Sequence, residues 1–138
     1  MIRRAEPRDA GTLLALWSAA GSSPSVTDTV ADVTQVIEHP EGSVLVAESD
    51  GLVVGSLIAT WDGWRGNMYR LAVLPEFRRR GIAAELVRQG EAELRRRGAR
   101  RVSAVVLVDE DHATGFWANA GYTHQQEAGR FTRVIDDA

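Results

Sequence analysis

The sequence predicts an α+β domain built on one mixed central sheet, with about six or seven strands flanked by about four helices. Three observations carry that expectation. Residues 71–74 (Leu-Ala-Val-Leu) form a short apolar run that Pro75 stops, because proline has no N–H to give to a ladder. After Arg78-Arg79-Arg80-Gly81 the apolar residues fall at Ile82, Leu86, Val87, Gly90 and Leu94, which is one face of a helix. Asp50-Gly51 stands between two strand-like runs and is a hairpin signal. Taken along the whole chain, the patterns follow the order β-α-α-β-β-β-α-β-α-β-β.

In order, residues 2–5 read as a brief strand near the sheet edge. Pro7 suits the first turn of a helix whose buried face is Ala10, Leu13, Leu14, Trp17 and Ala20. Residues 21–25 (Gly-Ser-Ser-Pro-Ser) are a loop. Ser25 or Thr27 caps a second helix with Val26, Val30, Val33 and Ile37 on its inner face, and His39-Pro40 ends it. Residues 43–49 and 52–61 are the two arms of the hairpin, and Gly55 marks a bulge or a close approach. A loop over 62–66 carries an exposed Trp64, and 67–74 is the next strand. The long helix pairs Glu91 with Arg95 and Glu93 with Arg97 at i,i+4 on its outer face. Arg95-Arg96-Arg97 then place cations at its negative end before the terminator Gly98. Residues 101–108 are a strongly apolar strand. Ala113, Phe116, Trp117 and Ala120 form the face of a short helix with Gly121 as its C-cap. Residues 122–126 and 130–135 close the chain as a hairpin around Ala128-Gly129.

Composition narrows the chemistry. A chain of 138 residues is expected to be a single domain, 1–138, large enough for a real core. Its 16 basic residues are all Arg, which cannot act as a base, so lysine chemistry is excluded. There is no Cys, so disulfides, thiolate metal sites and a cysteine nucleophile are excluded as well. A net charge of −3 argues against general nucleic-acid binding. No metal is expected. The N-terminal residues lack an apolar signal region and no run approaches a membrane span, so the expected location is cytoplasmic.

The turn over 78–83 has the make-up of an anion trap. The first N–H groups of a helix lack partners and its dipole is positive there. Gly81 lets backbone approach a ligand, and small Ala83 keeps the approach open. The alternative is that Arg78, Arg79 and Arg80 are solvated loop charges and Gly81 only a turn.

The order R-x-x-G-x-A over Arg78, Gly81 and Ala83, following a strand that ends LAVLPEF, resembles the signature of the GNAT superfamily of N-acetyltransferases. The later stretch from Ala113 to Tyr122 resembles that family's A-x-x-x-Y-x-x-x-G-F helix and turn. The resemblance implies a three-layer fold and acetyl transfer from acetyl-coenzyme A, used as co-substrate, to an amine acceptor. It implies a coenzyme site at Arg78, Arg79, Arg80, Gly81, Ile82, Ala83 and Ala84. The backbone near Leu71, Ala72 and Val73 would hold the thioester carbonyl, and Trp117 would lie against the coenzyme arm. It also implies that the strand ending at Leu74 and the strand over 102–108 splay apart to admit the pantetheine arm, and that a homodimer is possible.

The chain departs from the family pattern at two positions. Trp117 stands where the family has the Tyr that protonates the departing thiolate, and Glu110 stands where it commonly has Asn. The residues before the turn, 67–70, supply no carboxylate base. Glu110 and His112 remain open as the base, while Asp109 and Asp111 read as caps of the following helix. Tyr69 is the third candidate catalytic side chain. Trp61, Trp64, Tyr69 and Tyr122 either line an acceptor pocket or serve the core. The expected reaction is acetyl transfer to a primary amine of a small molecule, amino acid, antibiotic or peptide, in a ternary complex. The alternative is a non-catalytic acyl-coenzyme A sensor or subunit.

Overall fold

A computed structural model describes residues 1–106 and 111–135, with the side chains of 111–114 outside the description. The chain divides into two compact units, 1–105 and 106–138.

The first unit is a five-stranded sheet in the order β1-β2-β3-β4-β5. Its strands are β1 (Ile2–Arg4), β2 (Gly42–Ser49), β3 (Leu52–Trp61), β4 (Gly66–Val73) and β5 (Val102–Ala104). The first four run antiparallel to their neighbours, and β5 pairs β4 in parallel, so the sheet is mixed as expected. Helices α1 (Ala10–Ala19) and α2 (Val30–Glu38) lie on one face, and α3 (Ile82–Arg97) lies on the other. Strand alternation decides this division. Val44, Val46 and Ile58 point to one face and pack with Leu13, Leu16, Trp17 and Val33. Leu57 and Met68 point to the other and meet α3 at Gly90.

Three glycines set the depth at which α3 lies. A Cβ at Gly55 would meet Ile82 and Leu86, one at Gly66 would meet Leu94, and one at Gly90 would meet Leu57 and Met68. The missing side chains let helix and sheet approach closely, and this holds the start of α3 at the end of β4. Gly55 serves both readings offered for it: besides this close approach, it borders a bulge where the β2–β3 register shifts between Ala47 and Glu48. The β2–β3 turn has Asp50 and Gly51 at φ 51° and 81°, the left-handed pair that a two-residue hairpin requires. At the far end of α3, Gly98 adopts φ 111°. The N–H groups of Gly98 and Ala99 return to Arg95 and Leu94, closing the helix.

Several expectations need correction. The cap of α2 is Thr29, whose side chain accepts from the Asp32 N–H, rather than Ser25 or Thr27. Val26 and Val30 consequently fall before the helix's buried stretch and are exposed. Leu16 is buried in α1, and Leu14 and Ala20 are only half-buried. The strand expected over 101–108 is assigned as β5 for Val102–Ala104, with residues 107 and 108 outside the description.

The second unit contains α4 (Asp111–Asn119), which ends at Gly121 with φ 95°. The Tyr122 N–H bonds the Trp117 carbonyl there. The final hairpin is absent from the described residues, and this lowers the strand count to five. Residues 122–135 hold turns and no strand. Phe131 is 99% exposed and Ile135 90% exposed. A two-stranded hairpin by itself is marginal, and the exposure of these apolar side chains accords with the lack of a strand here.

Candidate functional site

The site is built around an irregularity in β4. Ile58 faces Tyr69 and Ser56 faces Ala72, so Leu57 alone stands opposite both Arg70 and Leu71. This is a β-bulge with its extra residue in β4. Arg70 takes φ 56°, a left-handed conformation that costs an ordinary residue about 1–2 kcal/mol. Such a conformation persists where surrounding contacts over-determine it.

Those contacts are specific. Ser56 Oγ donates to the Arg70 carbonyl at 2.8 Å, and Trp17 Nε1 donates to Ser56 Oγ at 2.9 Å. The Arg70 side chain reaches the α1–α2 connection, where Nη2 donates to both carboxylate oxygens of Asp28, at 2.8 and 3.1 Å. Its guanidinium carbon sits 4.8 Å from the Trp17 ring centroid, within range of a cation–π contact.

One consequence follows from peptide geometry. Among the described residues every peptide bond is trans, and in a trans peptide the C=O and the following N–H point in opposite directions. The Arg70 carbonyl is turned toward Ser56 on β3, so the Leu71 N–H points away from β3. On that opposite side β5 pairs with β4 only from Gly66 to Met68, and the Val105 N–H makes the last bond, to the Met68 carbonyl. Among the described residues no strand pairs that edge of β4 beyond Met68. Leu71 is half-buried, and Ala72 and Val73 beyond it are buried.

The strand leads through a 3₁₀ turn (Pro75–Phe77) into the Arg-rich segment. Arg79 takes φ 66° and Gly81 φ 82°, so the chain reverses twice through the left-handed region before α3 starts. The helix N-terminus has no side-chain cap, and nothing lies within 4 Å of the position a Gly81 Cβ would take. Gly81 is exposed, and Ile82, Ala83 and Ala84 are half-buried. The turn therefore offers uncapped backbone N–H groups at the positive end of a 16-residue helix.

The three arginines differ in employment. Arg78 braces the turn: Nε donates to the Val73 carbonyl at 3.1 Å and Nη2 to the Ala20 carbonyl at 3.1 Å. Arg80 lies over the Phe77 ring and donates to the Glu76 carbonyl. Arg79 is exposed. The sequence groups the three as one anion-binding run, whereas Arg78 is in large part a structural tie.

Of the residues expected at the site, Leu71, Ala72, Val73, Arg78, Arg79, Arg80, Gly81, Ile82, Ala83 and Ala84 come together in one continuous strand–turn–helix passage. Tyr69 packs against the core on the α1–α2 face. Glu110 lies outside the described residues. His112 falls in α4, with its side chain outside the description. Trp117 is buried in the second unit, edge-on to Phe116 at 5.4 Å and to Tyr122 at 4.8 Å between ring centroids. Tyr122 thus serves an aromatic cluster, and Trp64 is exposed beneath the Arg65 guanidinium. Sequence pattern does not single out Arg70, Asp28 or Ser56. The one available signal is a lone hydroxyl inside the apolar run of β3.

A family model described as the acetyltransferase (GNAT) family matches residues 13–122. The chain belongs to this family. The match runs from α1 through the bulged strand and the Arg–Gly turn to Tyr122. Among solved structures of GNAT acetyltransferases, the aminoglycoside antibiotic 6'-N-acetyltransferase AAC(6')-IG from Acinetobacter haemolyticus superposes with a TM-score of 0.81 at 21% identity. The match covers 99% of each chain. AAC(6')-Ih from Acinetobacter baumannii gives 0.79 at 20% identity, again over 99% of each chain. AAC(6')-Iy, determined in complex with CoA, gives 0.80 at 16% identity over 98% of this chain and 95% of that one. At these identities the likeness establishes the GNAT fold.

Proposed function

We propose that residues 1–138 form one acetyl-coenzyme A-dependent N-acetyltransferase domain, which moves the acetyl group to a primary amine by direct transfer in a ternary complex. The observation that carries this reading is the Arg70–Leu71 peptide. Its N–H points to a strand edge that no strand among the described residues pairs beyond Met68, and that edge leads straight into a Gly-opened helix start with no side-chain cap. The extent of the family match, from the first unit into the second, supports treating the chain as one catalytic domain.

In this reading the pantetheine arm adds to the open edge of β4 as an extra strand, using backbone of Leu71, Ala72 and Val73. The pyrophosphate sits at the backbone of 79–84, with Gly81, Ala83 and Ala84 leaving room and Arg79 and Arg80 supplying charge. The amine nitrogen bonds to the thioester carbon and the C–S bond breaks. Charge develops on the carbonyl oxygen, where the Leu71 N–H meets it. A preorganised donor of this kind contributes roughly 10²–10³ in rate. The leaving thiolate, whose thiol ordinarily titrates at about 8.5, departs without a side-chain acid, since the Trp117 indole donates a hydrogen bond but does not titrate. An alkylammonium acceptor of pKa about 10 must first lose a proton, and Glu110 and His112 are the candidates to receive it.

The acceptor is a primary amine of a small molecule, amino acid, antibiotic or peptide, and aminoglycosides are the first to assay, given the neighbours named above. Trp117 in place of a titrating Tyr favours the second reading, a non-catalytic acyl-coenzyme A sensor. Thiol release from acetyl-coenzyme A across a panel of aminoglycosides, amino acids and peptides separates the two. Amine-dependent release supports the transferase. Tight coenzyme binding with no release for any amine supports the sensor, and absence of coenzyme binding overturns both.

A further inference from the structure

Ser56 is a fully buried hydroxyl in the middle of β3, flanked in sequence by Val54, Gly55, Leu57 and Ile58. A buried polar group is costly unless it is hydrogen-bonded, and an apolar residue would fill this position at no such risk. Its two partners account for its presence. It receives the Trp17 indole N–H and donates to the Arg70 carbonyl. Neither bond belongs to the sheet ladder. Both meet at the Ser56 hydroxyl, which in turn bonds the peptide plane whose other end is the Leu71 N–H. The Arg70 side chain is tied independently, to Asp28 in the α1–α2 connection, by an ion pair whose members are only 18% and 21% exposed.

We propose that Ser56, backed by Trp17, is a positioning residue for acetyl transfer: it fixes the plane of the Arg70–Leu71 peptide so that the Leu71 N–H stays aimed at the thioester carbonyl, while Asp28 holds the same residue from the α1–α2 connection. The inference rests on the proposed role of the Leu71 N–H. Without the Ser56 hydroxyl, the Arg70 carbonyl loses its side-chain donor on β3, and the peptide loses one of the contacts that hold its left-handed setting. The donor is then lost as a fixed dipole, although the coenzyme's phosphate site, a turn away, is untouched.

The test compares wild type with Ser56→Ala, and with Ser56→Cys, which keeps the size and a weak donor. Isotope-edited infrared spectra of bound [1-¹³C]acetyl-coenzyme A report the thioester carbonyl directly, with no acceptor needed. In wild type the carbonyl band falls below its position in free coenzyme. Ser56→Ala returns it toward the free position, and Ser56→Cys gives an intermediate shift. Calorimetry with coenzyme A and acetyl-coenzyme A on the same proteins shows unchanged affinity for coenzyme A in both variants. The ratio of acetyl-coenzyme A to coenzyme A affinity falls roughly five- to tenfold in Ser56→Ala, the worth of one hydrogen bond. Coenzyme binding with the same carbonyl band in wild type and Ser56→Ala overturns this proposal alone. Where Ser56→Ala fails to fold, an unshifted band in Ser56→Cys overturns it equally. Absence of coenzyme binding by wild type overturns the coenzyme site and this role together.

Discussion

Gly90 lies mid-way along α3, and replacing it with Ala sets two known effects against each other. Alanine in a helix interior is favoured over glycine by about 0.8–1 kcal/mol. The new Cβ, however, would stand 2.7 Å from Leu57 Cδ2 and 3.0 Å from Met68 Cε, where carbon atoms are at ease near 3.5–4.0 Å. Leu57 and Met68 are fully buried, so neither side chain has space to swing into. Overpacking of this kind costs about 1–3 kcal/mol, which leaves a net loss of about 1 kcal/mol. The same change at Gly11, in α1, meets nothing within 4 Å and receives only the propensity gain. Urea denaturation followed by circular dichroism measures both. Gly90→Ala is expected to lower the midpoint and Gly11→Ala to raise it. Because α3 carries the helix start at Gly81, where the coenzyme site is proposed, lifting it off the sheet is also expected to weaken acetyl-coenzyme A binding. A Gly90→Ala protein as stable as wild type would refute the claim that glycine at this position sets the depth of the helix.

Asp9 accepts from both Nη atoms of Arg3 and from the Glu6 N–H. The Arg3 bonds hold its carboxyl below the ordinary value of 3.8. A depressed folded pKa means its contribution is complete above the unfolded pKa and is lost as pH falls below about 5 toward the folded value. Asp9→Asn is expected to cost about 2–3 kcal/mol at pH 7, and urea midpoints taken from pH 7 to pH 3 should show that difference narrowing toward the acid end. Arg79→Gly removes an exposed charge from the turn and places glycine at φ 66°. Stability is expected to hold or rise by up to about 1 kcal/mol, while acetyl-coenzyme A affinity falls several-fold; calorimetry and thermal melts together check the opposite signs.

The elements that sequence pattern locates well are those whose ends carry local chemistry. Asp50-Gly51 and Gly98 lie where the backbone turns left-handed, and β2 and α3 end beside them as expected. The Arg–Gly turn is legible for the same reason, since Gly81 is required by its own φ. The bulge is not. Nothing about Arg70 as a residue type favours φ 56°; contacts from Ser56, on another strand, and Asp28, 42 residues earlier in the chain, hold it there. The cap of α2 falls at Thr29 because several residues in that stretch have the chemistry to cap and only packing selects among them. The closing hairpin fails for a related reason. Phe131, Val134 and Ile135 have strand-like character, but a strand needs a partner, and partners are not written in its own pattern. The division of labour among Arg78, Arg79 and Arg80 likewise depends on which carbonyls lie within reach.

The central claim is that the turn at Gly81 holds the coenzyme's pyrophosphate. Calorimetry of acetyl-coenzyme A with wild type, Gly81→Asn and Gly81→Asp tests it most directly. Asn and Asp are similar in size and both tolerate a left-handed conformation, so the two variants carry the same backbone demand and differ in one negative charge. The account predicts a modest loss of affinity for Gly81→Asn and a further loss of tenfold or more for Gly81→Asp, shrinking as salt is added. Equal affinities for the two variants would contradict it, because a carboxylate placed against a pyrophosphate cannot go unnoticed.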